Sequence, residues 1–229
     1  DLCASAFQSA GQRCSAARVL FVQEDVAERT LAMLKGAMAE LAVGDPSDLA
    51  TDVGPVIDGE AKDGLEAHIA RMEAEAKLIA RAPATPAMEA GTFVAPVAFE
   101  IASLDVLKRE VFGPVLHVIR YKAERLDQVM DAINATGFGL TMGLHTRIDT
   151  TVEWLRRRSA AGNLYVNRNM IGAVVGVQPF GGEGLSGTGP KAGGPRYLAR
   201  FAVERVISIN TTAAGGNASL MSVGDDLPG

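Results

Sequence analysis

Residues that bind metal ions or cross-link a chain are scarce in this sequence. Its 229 residues include two cysteines, Cys3 and Cys14, and three histidines, His68, His117 and His145. Two cysteines outside any C-x-x-C pattern cannot build a disulfide framework, so we expect a reducing, cytoplasmic location. The histidines fall far apart in different predicted elements and offer no metal-ligand spacing. The sequence therefore predicts no metal site and a structural role for each histidine.

Long apolar runs and clustered positive charge are also missing. The longest apolar run, residues 19–22, has the length of a strand, whereas a membrane-spanning helix needs roughly 18 residues or more. The net charge is -5, and the one tight basic run, residues 156–158, fits a solvated helix face. A nucleic-acid surface needs a clustered positive stripe. We therefore expect a globular protein that neither crosses a membrane nor contacts nucleic acid.

What the sequence does contain is an alternation of helical and strand periodicity. Helices are predicted at 1–10, 25–42, 59–76, 124–135, 149–160 and 194–201, and strands at 17–23, 78–79, 92–99, 114–120, 140–146, 163–167 and 203–209. This alternation indicates an α/β layered fold with a mostly parallel sheet. No linker or repeat interrupts it before about residue 200. Since the chain begins without an initiator Met or a signal peptide, we expect it to be a piece of something longer.

A nucleophile's setting surrounds one of the cysteines. Residues 11–15 read GQRCS, which places Cys14 on a helix-to-strand turn beside Arg13. A thiolate can be stabilised and kept accessible in such a place. A buried, inert cysteine at a strand start is the alternative that the residues alone leave open. Cys3, on the apolar side of the first helix, is interpreted as inert.

Two further segments could hold ligands. Residues 108–115 read KREVFGPV, with Glu110 fixed two residues before Phe112 and a Gly-Pro turn. That carboxylate could accept hydrogen bonds from a ribose diol, or could simply mark an exposed strand entry. Residues 178–189 read QPFGGEGLSGTG, a glycine density typical of loops that approach a ligand or another backbone. Their G-x-G-x-x-G spacing lacks a preceding strand, and Pro190 interrupts any helix that could follow, so we reject a dinucleotide fingerprint.

Taken together and in this order, the three segments resemble the aldehyde dehydrogenase superfamily, and residues 134–140 and 162–167 are similar to it as well. The resemblance covers residues 1 to about 210. It implies a three-layer catalytic domain at 1–202 with Cys14 as the nucleophile, followed by an oligomerisation strand and tail at 203–229. It also implies that the dinucleotide-binding half, the oxyanion Asn and the general-base Glu lie upstream, so we expect this piece alone to be nearly inactive.

Within that superfamily, residues 14–15, 171–180 and 210–220 look like the glutamate-semialdehyde (1-pyrroline-5-carboxylate) dehydrogenases. The ending resembles the dehydrogenase module of the bifunctional proline-catabolic enzymes called proline utilization A. This implies NAD-dependent oxidation of L-glutamate γ-semialdehyde to L-glutamate, through a thiohemiacetal and a thioester. It further implies a homo-oligomer, with FAD confined to an upstream proline dehydrogenase module of the parent.

The resemblance also assigns roles to individual residues. Glu110 would hold the nicotinamide ribose, and Phe112 would pack at the nicotinamide end. The remaining assignments concern the substrate: its carboxylate would be bound by the Ser15 hydroxyl and the N–H groups of Gly172 and Ala173, and its aliphatic part would be flanked by Phe180. From its charge alone, Arg13 could attract the carboxylate at longer range or could simply be solvated. Two other readings stay open: another semialdehyde or CoA-acylating aldehyde dehydrogenase, and an assembly module without catalysis.

Overall fold

The computed structural model of the protein describes residues 1–210 and Ala213. Its α-helices are α1 (Leu2–Phe7), α2 (Glu24–Ala39), α3 (Gly59–Glu75), α4 (Leu126–Ala135) and α5 (Asp149–Arg158). Its strands are β1 (Val19–Gln23), β2 (Lys77–Arg81), β3 (Val97–Glu100), β4 (Val115–Tyr121), β5 (Phe138–Gly139), β6 (Thr141–Leu144), β7 (Asn163–Val166) and β8 (Glu183–Gly184). None of the helices in these residues is both long and apolar enough to cross a membrane.

A four-stranded sheet in the order β1-β4-β3-β2 forms the centre of the fold. The β1–β4 and β4–β3 pairs are parallel, and β2 joins the far edge in the antiparallel direction. The first five residues of β4, 115–119, are all buried, as a central strand covered on both faces requires. The prediction of a mixed α/β fold with a parallel-dominated sheet is confirmed.

Helices α2 and α3 supply much of the apolar packing against this sheet. Helix α2 buries Ala27, Leu31, Leu34 and Met38, and α3 buries Leu65, Ile69 and Met72. This spacing of three and four residues puts each set on one helix face. Helix α3 begins where the Asp58 side chain accepts a hydrogen bond from the Ala61 N–H at 2.8 Å. The predicted periodicity therefore corresponds to real buried faces.

The second half of the chain is less regular than predicted. Strands β6 and β7 form a parallel pair and β5 and β8 a short antiparallel pair, each separate from the four-stranded sheet. The predicted helix at 194–201 shrinks to a single 3₁₀ turn, Leu198–Phe201. Gly193, with a φ of 70°, and Gly194 contribute to the loss, because glycine favours turns and lowers helix propensity.

The predicted strand at 203–209 does not form within this chain. Residues 203–209 are exposed, and no strand is assigned to them in the described part of the chain. An isolated strand has no hydrogen-bonding partner to satisfy its backbone, so the sequence periodicity alone cannot create one. Its role in oligomerisation stays a prediction. Of the predicted tail, all but Ala213 beyond residue 210 lies outside the described residues.

Candidate active site

The loop that carries Cys14 connects α1 to β1 and leaves its thiol exposed. Just before it, Ser9, Ala10 and Gly11 all have left-handed backbone, with φ of 55°, 53° and 65°. Left-handed backbone costs a non-glycine residue about 1–2 kcal/mol. Surrounding contacts must therefore hold this loop in place.

Gln12 and Arg13 supply some of those contacts. The Gln12 side chain donates to the Pro55 carbonyl at 3.3 Å and accepts from the Ile57 N–H at 2.8 Å. Arg13 Nε donates to Ser9 Oγ at 3.1 Å. The side chains of Gln12 and Arg13, the two residues before Cys14, thus hold the loop in its conformation. The motif GQRC did not reveal this role.

The Cys14 loop touches the segment that contains Glu110. A β-carbon at Gly11 would overlap the carbonyl oxygen of Gly113, and one at Gly113 would overlap the Leu65 side chain. Only glycine permits this approach of two backbones, and at position 11 it also suits the positive φ. The first two motifs, about a hundred residues apart in sequence, are therefore in direct contact.

Arg18 links the same two segments through its side chain. Its Nε donates to Glu110 Oε1 at 3.1 Å, Nη1 donates to the Gly11 carbonyl at 2.6 Å and Nη2 donates to the Arg13 carbonyl at 3.0 Å. Nη1 also lies 3.4 Å from the Gly113 carbonyl. Burial lowers the pKa of Arg18, while the Glu110 carboxylate opposes that shift. Arg18 was not among the residues predicted from the sequence, although a cation directly before an apolar strand and four residues after Cys14 is a usable signal.

Glu110 and Phe112 stand at the solvent side of this cluster. The Glu110 side chain is 50% exposed while that of Arg18 is 17% exposed. Phe112 is 44% exposed, and the Arg18 guanidinium lies 4.7 Å from its ring centroid. The half-exposed Glu110 carboxylate can accept hydrogen bonds from a sugar hydroxyl, and the accessible Phe112 ring beside it can pack against a planar base. Both predicted cofactor residues are thus positioned together, one loop away from Cys14.

Ser15 and Gly172 are brought together, but they face each other. The Gly172 N–H donates to the buried Ser15 Oγ at 3.0 Å, and the Tyr165 hydroxyl donates to the Gly172 carbonyl at 2.7 Å. Arg13 Nη1 lies 4.0 Å from the point where a β-carbon of Gly172 would be. In this structure the Gly172 N–H is therefore engaged by Ser15.

Phe180 is fixed by a separate set of bonds. Its backbone pairs with Ala192, and the Asn163 side chain binds the flanking backbone, donating to the Pro179 carbonyl and accepting from the Gly181 N–H. The link to the nucleophile loop runs through β6, where Thr141 lies opposite Asn163 and donates from Oγ1 to the Ser15 carbonyl at 3.4 Å. Phe180 is therefore linked to Ser15 through Asn163, the pairing of β7 with β6, and Thr141.

Two histidines that the sequence placed far apart are in fact neighbours. His68 Nε2 lies 2.9 Å from His117 Nε2, and their ring centroids are 5.1 Å apart. His117 Nδ1 donates to the Arg18 carbonyl at 3.1 Å, and His68 Nδ1 lies 3.4 Å from an Arg71 nitrogen. Burial lowers the pKa of His117 to about 4. The two histidines lie in different elements, α3 and β4, as predicted, and the fold brings those elements into contact. The pair supports the backbone at Arg18.

No other described part of the chain competes as a reaction centre. A groove of about 660 Å³ lies beside Lys77, Glu100 and Ile101, at the end of the sheet opposite Arg18. It holds a lysine and glutamates but no nucleophile. Within residues 1–210 and Ala213, no three His, Cys, Asp or Glu side chains are grouped closely enough to bind a metal ion. Cys14 is therefore the group around which a site is built.

Comparisons with known proteins point in one direction. The profile of the aldehyde dehydrogenase family matches residues 1–207. The chain is 58% identical over 210 residues to the bifunctional protein PutA of Klebsiella aerogenes, covering 90% of this chain and 16% of that protein. It is 37% identical over 212 residues to the 1-pyrroline-5-carboxylate dehydrogenase of Geobacillus kaustophilus (strain HTA426), covering 91% and 40%.

A solved structure agrees with these sequence matches. A mutant of Bradyrhizobium japonicum proline utilization A superposes with a TM-score of 0.87 at 62% identity, covering 93% of this chain and 21% of that one. The chain thus spans well under half the length of each of these relatives. The fold is shared over 93% of this chain.

Proposed function

The chain belongs to the aldehyde dehydrogenase family, and on that premise we propose that it carries the nucleophile-bearing part of an NAD-dependent L-glutamate γ-semialdehyde dehydrogenase of proline catabolism. The observation that carries the proposal is the exposed Cys14 thiol on a loop that Arg18 joins to Glu110. The names of the relatives, PutA and 1-pyrroline-5-carboxylate dehydrogenase, support the same reaction.

Covalent catalysis begins at Cys14. Its thiolate attacks the aldehyde carbon, and the carbonyl oxygen becomes an oxyanion that the Cys14 backbone N–H can stabilise. Loss of hydride from the resulting thiohemiacetal carbon gives a thioester at the same sulfur. Water then releases the carboxylate product and the thiol. The base for that last step is an upstream Glu in this proposal, and an upstream Asn is the second oxyanion donor.

Glu110 and Phe112 are the residues of this chain that would hold NAD+, whose nicotinamide supplies the hydride acceptor. They fit that role because one Glu110 oxygen is bound by Arg18 while the side chain remains half exposed. A carboxylate so anchored can accept hydrogen bonds from both hydroxyls of a ribose diol. The Phe112 ring is accessible beside it.

Selection of a carboxylate-bearing aldehyde would rest on the group around Ser15. The Ser15 hydroxyl, the Gly172 and Ala173 amides and the Arg13 guanidinium are close to one another. Small residues and backbone donors can bind a carboxylate without a bulky side chain between. Because the Gly172 N–H already donates to Ser15, substrate binding in this proposal turns that amide toward the carboxylate. Phe180 would flank the aliphatic part.

The rest of the assignment concerns the parent protein. We propose that FAD serves only an upstream proline dehydrogenase module, that the parent is a homo-oligomer, and that it works in the cytoplasm, where its two free thiols stay reduced. The chain covers only 40% of the Geobacillus kaustophilus 1-pyrroline-5-carboxylate dehydrogenase, so we expect the isolated chain to be nearly inactive. Calorimetric titration with NAD+ should show no tight binding to the isolated chain.

Thiol labelling separates an enzyme from an assembly module without catalysis. Burial raises the pKa of the half-buried Cys3 thiol, whereas Cys14 is exposed. Iodoacetamide should therefore modify Cys14 at least about tenfold faster than Cys3 at neutral pH. Mass spectrometry of the Cys14→Ser and Cys3→Ser variants assigns the two rates. Equal rates would favour the assembly module.

Activity is best measured in a graft. This chain replaces the matching segment of the Geobacillus 1-pyrroline-5-carboxylate dehydrogenase, and NADH formation is followed with glutamate semialdehyde and with a carboxylate-free aldehyde of similar size. The graft should prefer the semialdehyde, and the Cys14→Ala graft should be inactive. No preference between the two aldehydes would argue for a different substrate.

A further inference from the structure

We propose that Arg18 is a positioning residue that fixes the peptide between Arg13 and Cys14 and the Glu110 carboxylate relative to each other. This inference rests on the proposed function, because it assigns the oxyanion donor and the ribose carboxylate to one anchoring side chain. Arg18 itself touches neither substrate nor cofactor in this proposal. Its guanidinium acts through the groups that it binds.

The first step concerns the nucleophile's own amide. Arg18 Nη2 donates to the Arg13 carbonyl at 3.0 Å. That carbonyl and the Cys14 N–H belong to the same planar peptide group, so fixing one end fixes the direction of the other. A hydrogen bond to the carbonyl also polarises the peptide and strengthens its N–H as a donor. Arg18 therefore sets both the direction of the Cys14 N–H and its strength as a hydrogen-bond donor.

The second step concerns the carboxylate. Arg18 Nε donates to Glu110 Oε1 at 3.1 Å, from the same rigid, planar guanidinium. The Nη1 nitrogen donates to the Gly11 carbonyl at 2.6 Å, which fixes the loop that precedes Cys14. A guanidinium can serve three acceptors in fixed directions, whereas a lysine ammonium is a point charge on a flexible stem. The distance between the two functional groups is thus set by one side chain.

The third step concerns the anchor itself. The Arg18 backbone carbonyl accepts from the His117 N–H at 3.0 Å and from His117 Nδ1 at 3.1 Å. Only 17% of the Arg18 side chain is exposed. A residue held at both its backbone and its guanidinium has little freedom to follow either partner. It can therefore transmit a fixed geometry.

A single NMR signal tests the first step in the chain itself. Arg13–Cys14 is the one Arg-Cys pair in the sequence, since Cys3 follows Leu2. Labelling with carbonyl-¹³C arginine and ¹⁵N cysteine therefore gives one carbonyl-to-amide correlation. Arg18→Met should move the Arg13 carbonyl carbon upfield and shift the Cys14 amide. The Cys3 amide, which the same labelling reveals, should stay in place and report that the fold is kept.

Arg120→Met is the matched control. Arg120 is also mostly buried, with 21% of its side chain exposed, and also pairs with a carboxylate, that of Glu100. Its loss should leave the Arg13–Cys14 signal where it is. If Arg18→Met does not fold, Arg18→Lys decides, because lysine cannot span the three acceptors and should move the same signal. An unmoved signal in a folded Arg18 variant overturns the inference.

Kinetics of the graft test the consequence. Arg18→Met and Arg18→Lys should each lower kcat/KM about tenfold or more, with kcat reduced and KM for NAD+ raised while KM for the aldehyde changes little. The Arg120→Met graft should stay within about twofold of the parent graft. An active graft whose Arg18 variants keep kcat and KM for NAD+ overturns this inference alone. An inactive parent graft counts against the proposed function, and the NMR signal still decides the role of Arg18.

Discussion

The loop around Cys14 and the segment around Gly172 meet at the hydrogen bond between Ser15 and Gly172 but are built differently. The Cys14 loop is held by backbone contact with Gly113 and by the Gln12 and Arg18 side chains. Residues 172–178 are held by a few polar bonds at their ends, and Val175 within them is 97% exposed. The Cys14 loop is thus held by close backbone packing as well as by hydrogen bonds, whereas residues 172–178 depend mainly on a few hydrogen bonds.

This difference has a functional consequence. A nucleophile displaced by about an ångström loses rate steeply, so its loop must be over-determined. A recognition segment can change its contacts without disturbing the core, which lets substrate preference vary on a constant fold. Substitutions near Gly11 should therefore change the free energy of unfolding, and those near Gly172 should change mainly KM for the aldehyde.

The strongest challenge to this comparison is Gly11→Ala. The new methyl group would overlap the Gly113 carbonyl and force alanine into a left-handed conformation. The two penalties together should lower the free energy of unfolding by about 3 kcal/mol or more. Urea denaturation of the chain measures this value.

Gly36→Ala is the matched control for that substitution. Gly36 lies in the interior of α2, and a β-carbon there would meet no atom within 4 Å. The same chemical change should therefore stabilise the helix by up to about 1 kcal/mol. If both variants shift stability equally, the Cys14 loop is not over-determined and the contrast between the two regions fails.

What the sequence could predict follows the same division. Helices α2 and α3 were predicted because their buried faces repeat every three to four residues, and strands β1 and β4 because each is a short run rich in β-branched and other apolar residues. The three motifs and Cys14 were found because their spacing resembles a family. These features depend on neighbouring residues or on a fixed order along the chain.

What the sequence could not predict depends on long-range pairing. Arg18 reaches Glu110 across 92 positions, and His68 meets His117 across 49. No local pattern states which side chains will meet when helices pack on a sheet. The strand at 203–209 failed for a related reason, because its periodicity requires a partner that the described chain does not provide. The hydrogen bond between Gly172 and Ser15 was likewise invisible, since the motif names the residues without their directions.

A pH titration sharpens the picture of the rigid region. His117 keeps its neutral form in the fold with a pKa of about 4, whereas an unfolded histidine titrates near 6.5. Between these values the unfolded state binds more protons, so stability falls as pH drops from about 6.5 to 4 and is constant above that window. The loss from His117 should reach about 3 kcal/mol at most. Urea denaturation at a series of pH values measures it.

One variant separates His117 from other titrating groups. His117→Asn should reduce the dependence of stability on pH in that window, although the variant itself is less stable because the Arg18 carbonyl and His68 lose a partner. Burial also lowers the pKa of His68, so a smaller dependence with the same sign should remain. If His117→Asn leaves the dependence of stability on pH unchanged, the lowered pKa of a buried His117 is contradicted.

The smallest expected effect falls on the recognition side, at Tyr165. Its hydroxyl donates to the Gly172 carbonyl at 2.7 Å, and Tyr165→Phe removes that bond while the buried ring stays in place. The free energy of unfolding should fall by about 1 kcal/mol, while KM for the semialdehyde in the graft should rise several-fold with kcat nearly constant. Tyr121→Phe, at a half-buried ring on β4, controls for loss of a hydroxyl. A fall in kcat without a change in KM would mean that the Gly172 segment helps to position Cys14, and the two regions would then be one.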